Sequence, residues 1–197
     1  MATITLKDDV TGKAAQMPVL EPTYGHPVVD IGKLAKEFGY FTYDPGFMST
    51  ASCQSAITYL DGDKGELLYR GFPIEQLAEQ CNFLEVSYLL IYGELPNAEK
   101  KQVFETSIAR HNRIRENLRR FLHGFNHDAH PMAMMAAVVS SLSAFFHDRL
   151  DIRDYEHRMV TARRLIAKMP TIAAACYKHS IGDPATYPRD DLSYTGN

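Results

Sequence analysis

The segment from Pro131 to Phe146 constrains the fold most, because it is apolar or small almost throughout. On a helical period, Met132, Met134, Met135, Val138, Val139, Leu142, Phe145 and Phe146 cover most of the circumference, so a helix hidden on nearly all sides is expected. Pro131 starts it and the charged patch His147-Asp148-Arg149 stops it. The segment falls short of the roughly 18–20 apolar residues that a membrane span requires, as does every other stretch. The opening MATITLKDDV lacks the basic-then-apolar pattern of a signal peptide. Cys53, Cys81 and Cys176 lie too far apart for a Cys-x-x-Cys motif, and an odd count suits a disulfide framework poorly. A chain of 197 residues, 45% hydrophobic and 23% charged, therefore reads as one soluble cytoplasmic domain.

Residues 1–50 read differently from the rest. Thr3-Ile4-Thr5-Leu6 alternates polar and apolar, Val10-Thr11-Gly12-Lys13 reads as a turn, and Gln16 to Leu20 resumes an extended pattern. Prolines and glycines then interrupt any long helix up to Phe47, which makes this region a strand-and-loop arm. A second hairpin pairs Ala56–Leu60 with Glu66–Arg70 across Asp61-Gly62-Asp63-Lys64-Gly65. The remainder of 51–197 is predicted to be mainly α. Pro73 opens a short helix through Gln80, Phe83–Tyr92 forms another closed by Gly93, and Asn97 caps a third. That third helix carries Val103, Phe104 and Ile108, and later Ile114 and Leu118, as its apolar positions. A long helix starts near Asp154, with Pro170 marking a kink or two abutting helices. After Gly182 the chain reads as a loop entering an element that never arrives, so the fold is expected to be incomplete.

The net charge of −3 is unevenly placed. Residues 101–168 carry 12 Lys/Arg against 7 Asp/Glu and six of the eight histidines, which makes this the place to seek an anionic partner. A pI near 6.2 gives none of the global attraction of a nucleic-acid binder. Arg110, His111, Arg113, Arg115, Arg119 and Arg120 are the densest cationic cluster, and Arg163, Arg164 and Lys168 form a second strip. Like charges at these spacings repel, so the strips suit a ligand with several phosphates or a solvated face partly neutralised by Glu105 and Glu116. His123, His127 and His130 have a spacing that invites a metal, but Gly124 and Pro131 break the helix that would align them. No Gly-x-Ser-x-Gly, Gly-x-Gly-x-x-Gly or phosphate-loop motif is present, and no metal site is expected.

Six stretches carry a resemblance: Phe41-Thr42-Tyr43-Asp44-Pro45-Gly46-Phe47, Ile57 through Gly65, Leu68-Tyr69-Arg70-Gly71-Phe72-Pro73-Ile74, His130-Pro131-Met132, Ala167-Lys168-Met169-Pro170-Thr171 and Tyr187 through Tyr194. Together they resemble citrate synthase of the Gram-negative bacterial, type II hexameric kind, essentially from end to end. The resemblance implies a small N-terminal β arm over 1–50 and, over 51–197, the N-terminal part of a large helical domain. It implies condensation of acetyl-CoA with oxaloacetate and water to give citrate and CoA. The family's catalytic Asp and two His belong to its second half, so they fall after Asn197 and no residue here is expected to be catalytic. A homo-oligomer, from dimer to hexamer, is implied, with no nucleic acid and no membrane as partner. The inhibitory NADH site of this bacterial group is matched by Arg110, His111, Arg164 and Lys168. Phe146 stands where NADH-sensitive relatives have a tyrosine, and Asn112 replaces the usual threonine. Two other readings remain: 2-methylcitrate synthase, which accepts propionyl-CoA, and a non-catalytic nucleotide-binding or assembly module.

Overall fold

Strands β1 (Thr3–Lys7) and β2 (Ala14–Leu20) pair antiparallel, with Thr3 opposite Pro18 and Lys7 opposite Ala14, as the alternating pattern predicts. This is a computed structural model, which describes residues 2–197, and it divides after Glu79 into two units. The Asp8 carboxylate organises the first turn by accepting from the amides of Val10 and Thr11 and from the Thr11 hydroxyl. A two-residue strand unforeseen in the sequence, β3 (Val28–Val29), adds to β2. Pro18 is tolerated in that central strand because it sits where β3 ends, and its carbonyl still accepts from the Asp30 amide at 2.9 Å. A one-turn helix, α1 (Leu34–Phe38), follows and stops at Gly39, whose φ of +74° closes it.

The second hairpin joins β4 (Thr58–Asp61) to β5 (Glu66–Tyr69), and Asp61 accepts the Lys64 amide at the turn. A short β6 (Phe72–Pro73) pairs back onto β5, so Pro73 ends a strand and α2 (Ile74–Gln80) begins one residue later than expected. The tie is the ladder from Leu68 to Pro73, which keeps Pro73 extended.

The unit beginning at Gln80 is helical. Asn82 and Glu85 form a reciprocal capping box at the start of α3 (Phe83–Tyr92), Gly93 closes it, and Asn97 caps α4 (Ala98–Ala109). The chain then leaves the helix before α5 (Glu116–Leu122), so Ile114 lies in a connection rather than on α4. His130 caps α6 (Pro131–Phe145), a 3-10 turn covers His147–Arg149, and Asp154 caps α7 (Tyr155–Ser180). There are seven α-helices among the described residues, and the molecule is mainly α with two small antiparallel sheets. No helix among them is long and apolar enough to cross a membrane.

Two apolar clusters hold the helical unit, and α7 contributes to both. Ile114, Leu118, Leu122, Met134, Val138 and Leu142 pack with Ile172, Ala175 and Cys176 of α7. Leu84, Tyr88, Phe104 and Ile108 pack with Ala167 of α7. Burying each large side chain contributes on the order of 1.5–3 kcal/mol.

Two expectations change. The α6 helix is not hidden on nearly all sides: it buries only Met134, Val138 and Leu142, one stripe at i, i+4 and i+8, against α5 and α7. Met132, Ala136, Ser140 and Ser143 on its other side are exposed, because none of the other helices of its own unit covers that face. Pro170 does not split the last helix, which runs unbroken from Tyr155 to Ser180. A proline there removes the amide that would bond the carbonyl of Ile166 four residues back. That carbonyl accepts instead from the Tyr194 hydroxyl at 2.9 Å, so its loss is made good from outside the helix.

Candidate functional site

The two basic strips meet along α7. Arg164, Lys168 and Thr171 fall at i, i+4 and i+7, one face of a 3.6-residue helix. Lys168 donates to the carbonyls of His111 and Arg113, at 2.6 and 2.7 Å, and the Thr171 hydroxyl donates to the carbonyl of Asn112 at 2.8 Å. Three consecutive carbonyls of the α4–α5 connection are thereby stitched to α7. Carbonyls outside a helix need partners when buried, and these side chains supply them.

Lys168 is consequently not on an exposed polar flank, as its charge alone would put it, but only 3% exposed. Its ammonium pKa is pushed down to about 8, chiefly by desolvation and then by the nearby Arg164 and Arg115. The hydrogen bonds to carbonyls satisfy the charged form while burial and like charge oppose it.

Phe146, at the C-terminal end of α6, is where the cations gather. Arg115 lies 4.7 Å, Lys168 4.9 Å and Arg164 5.3 Å from its ring centroid. The negative face of an aromatic ring attracts such groups by about 0.5–2 kcal/mol each. The ring offsets some of the mutual repulsion without adding a compensating charge. Asp148 supplies one, accepting both terminal nitrogens of Arg164 at 2.9 and 3.1 Å, and that contact holds its carboxyl below the usual range. The Arg164 Nε is buried without a hydrogen-bond partner among the described residues.

Of the residues singled out from sequence, Arg164 and Lys168 belong to this cluster directly. His111 joins through its backbone carbonyl, and its ring Nδ1 lies 2.7 Å from the Ser107 carbonyl. Arg110 is the exposed C-cap of α4, adjacent in sequence but outside the contacts around Phe146. Arg115, one of the first basic strip, and Asp148 complete the cluster; neither is among the four residues that the family resemblance implies. The helical spacing of Arg164, Lys168 and Thr171 was readable, whereas the approach of Arg115 depends on where the α4–α5 connection turns. Glu116 pairs with Arg119 and so partly neutralises the first basic strip as expected, whereas Glu105 accepts from Asn82; neither reaches the cations around Phe146. Asp190 instead pairs with Arg113 at 2.7 Å.

The histidines play a different part. His123 caps the end of α5, His130 caps the start of α6, and His127 lies between them with its Nδ1 2.6 Å from the His179 carbonyl. The rings of His127 and His179 stack at 4.6 Å. No group of three or more His, Cys, Asp or Glu among the described residues is arranged to hold a metal ion. All three cysteines are free thiols. The Phe146 cluster thus gathers three cations around one ring, with Asp148 the carboxylate paired into it through Arg164.

Residues 46–197 match the family model described as citrate synthase, C-terminal domain. Among solved structures, citrate synthase from Thermotoga maritima MSB8 is 30% identical, with a TM-score of 0.66 over 78% of this chain and 39% of that one. Citrate synthase from Pyrobaculum aerophilum is 28% identical, with a TM-score of 0.65 over 90% of this chain and 42% of that one. The fold is shared as well by citrate synthase from Thermoplasma acidophilum, solved in a ternary complex with carboxymethyl coenzyme A and oxaloacetate. Its TM-score is 0.68 at 23% identity, over 74% of this chain and 38% of that one. The chain spans about two fifths of the length of these structures.

Proposed function

Because the chain belongs to the citrate synthase family, we propose that it forms the N-terminal helical scaffold of an enzyme that condenses acetyl-CoA with oxaloacetate and water into citrate and CoA. The family match over residues 46–197 carries this reading. Further support comes from the relative solved with a coenzyme A analogue and oxaloacetate. On this reading the general acid and base, one Asp and two His in the family, lie beyond Asn197, and the active assembly is a cytoplasmic homo-oligomer. The 197-residue chain then supplies shape and regulation rather than chemistry. A thiol-release assay with acetyl-CoA and oxaloacetate tests it: the purified chain gives no turnover, and the chain extended by the family's second half does. Turnover by the 197-residue chain contradicts the scaffold reading, and preference of the extended chain for propionyl-CoA makes it a 2-methylcitrate synthase.

The same reading makes Arg164 and Lys168 of the Phe146 cluster, with Arg110 and His111 of the neighbouring connection, the site for inhibitory NADH of the bacterial type II kind. The fit rests on the gathered cations and on the unpartnered Nε of Arg164. Lys168 adds charge while its protons go to backbone carbonyls, so it positions the connection bearing Arg110 and His111. Phe146 offers the nucleotide no hydroxyl, so binding is expected to be weaker than in the Phe146→Tyr variant.

A further inference from the structure

Arg164 reaches the surface only through a partner. Its two terminal nitrogens donate to the two carboxylate oxygens of Asp148, at 2.9 and 3.1 Å. That fork-on-fork pairing is the geometry in which a guanidinium takes a phosphate. The face of Arg164 that an anionic ligand would use is therefore already filled, and the remaining Nε is buried. Asp148 comes from the 3-10 turn His147–Arg149, the first turn after Phe146. The Thr161 hydroxyl, donating to the Arg149 carbonyl at 2.9 Å, holds that turn against α7. The Asp148 side chain is 55% exposed and that of Arg164 20%, so the carboxylate stands on the solvent side of the guanidinium. One of its oxygens also lies 4.0 Å from the Nε of Arg149, an exposed group to which it can turn. Against Arg115, Arg164 and Lys168 around the Phe146 ring, one carboxylate leaves positive charge in excess.

We propose that Asp148 is a built-in competitor for the ligand of this site: its carboxylate occupies the terminal nitrogens of Arg164, and an incoming phosphate must displace it toward Arg149 and water. The inference rests on the proposed nucleotide site and adds how that site is kept closed. A single small anion gains little by the exchange, because it replaces one exposed ion pair with another. A ligand with several phosphates gains more, because its further charges meet the cations that Asp148 leaves unmatched. Asp148 thereby sets a threshold that favours polyphosphates over simple anions.

Calorimetric titration of inorganic pyrophosphate into the full chain reads this competition without involving a nucleotide. Salt near 0.1 M suits it, since exposed charges more than about 10 Å apart are then largely screened. Asp148→Asn keeps the size of the side chain and removes its charge, and it is expected to bind pyrophosphate about fivefold more tightly than the wild type, the upper end of what an exposed ion pair contributes. Asp148→Ala removes the acceptor as well and is expected to bind at least as tightly, which keeps the comparison available if the asparagine oxygen still holds Arg164. Glu156→Gln removes the same charge eight residues before Arg164 on α7, about 12 Å along the helix, and is expected to change affinity by less than about twofold. Equal affinity in the wild type and both Asp148 variants overturns the competitor, and so does a gain in Glu156→Gln as large as that in Asp148→Asn. Pyrophosphate heat in none of these proteins overturns the anion site and the competitor together. Binding that tightens in Asp148→Asn, in a chain that gives no heat with NADH, supports the competitor and overturns the nucleotide reading alone.

Discussion

Helices α6 and α7 invert the expectation that hydropathy sets burial. The first is apolar over most of its circumference yet buries only the stripe of Met134, Val138 and Leu142. The second carries arginines and lysines along its length yet buries seven residues, a lysine among them, and joins both apolar clusters. The difference lies in what surrounds each helix. The α7 helix meets α4, α5 and α6 along its length, so even a charged side chain on it becomes a structural donor when carbonyls face it. The α6 helix offers more apolar surface than its neighbours in the unit can cover.

Core substitutions should show the largest effect. Ile172→Ala on α7 and Met134→Ala on α6 remove side chains that are 0% exposed, and each is expected to lose about 2–5 kcal/mol in urea unfolding. Met132→Ala, on the uncovered side of the same α6, should change stability by less than about 0.5 kcal/mol. A large loss there would mean that this face is covered in solution. Such a result breaks the contrast.

Buried charge gives the next effect, through pH. A lysine whose folded pKa lies near 8, below the ordinary value of 10.5, binds fewer protons folded than unfolded between those two values. Stability therefore rises with pH in that window, by about 1 kcal/mol between pH 8 and 9, as the desolvated charge is relieved. Lys168→Met should abolish that rise, as urea titrations at pH 8 and 9 would reveal. A rise of unchanged size in the variant would assign it to another group. Smaller still is Asp148→Asn, which removes an exposed partner of Arg164; its cost should stay below about 1 kcal/mol and shrink in 1 M salt.

Much of this architecture was legible from local signals. Asn97, Asp154 and Gly93 sit at helix ends because their side chains, or the lack of one, answer the unpaired groups there, and each needs only its own neighbours in sequence to do so. Both hairpins followed from alternation and turn residues. Strands β3 and β6 escaped notice because two residues carry no period, and pairing with a distant strand is what defines them. The candidate site was half legible. Arg164 and Lys168 announce a face of a helix, but burial of Lys168 is decided by a connection more than fifty residues earlier. The absence of a break at Pro170 was hidden for the same reason, since the compensation by Tyr194 comes from outside the helix.

Titration calorimetry of NADH into the chain at low salt, with and without Arg164→Gln, asks most directly whether the cations gathered along α7 serve a ligand. Binding at these cations predicts heat that saturates in the wild type, strengthens in Phe146→Tyr and vanishes in Arg164→Gln. No heat in the wild type, or the same heat with Arg164 replaced, contradicts it.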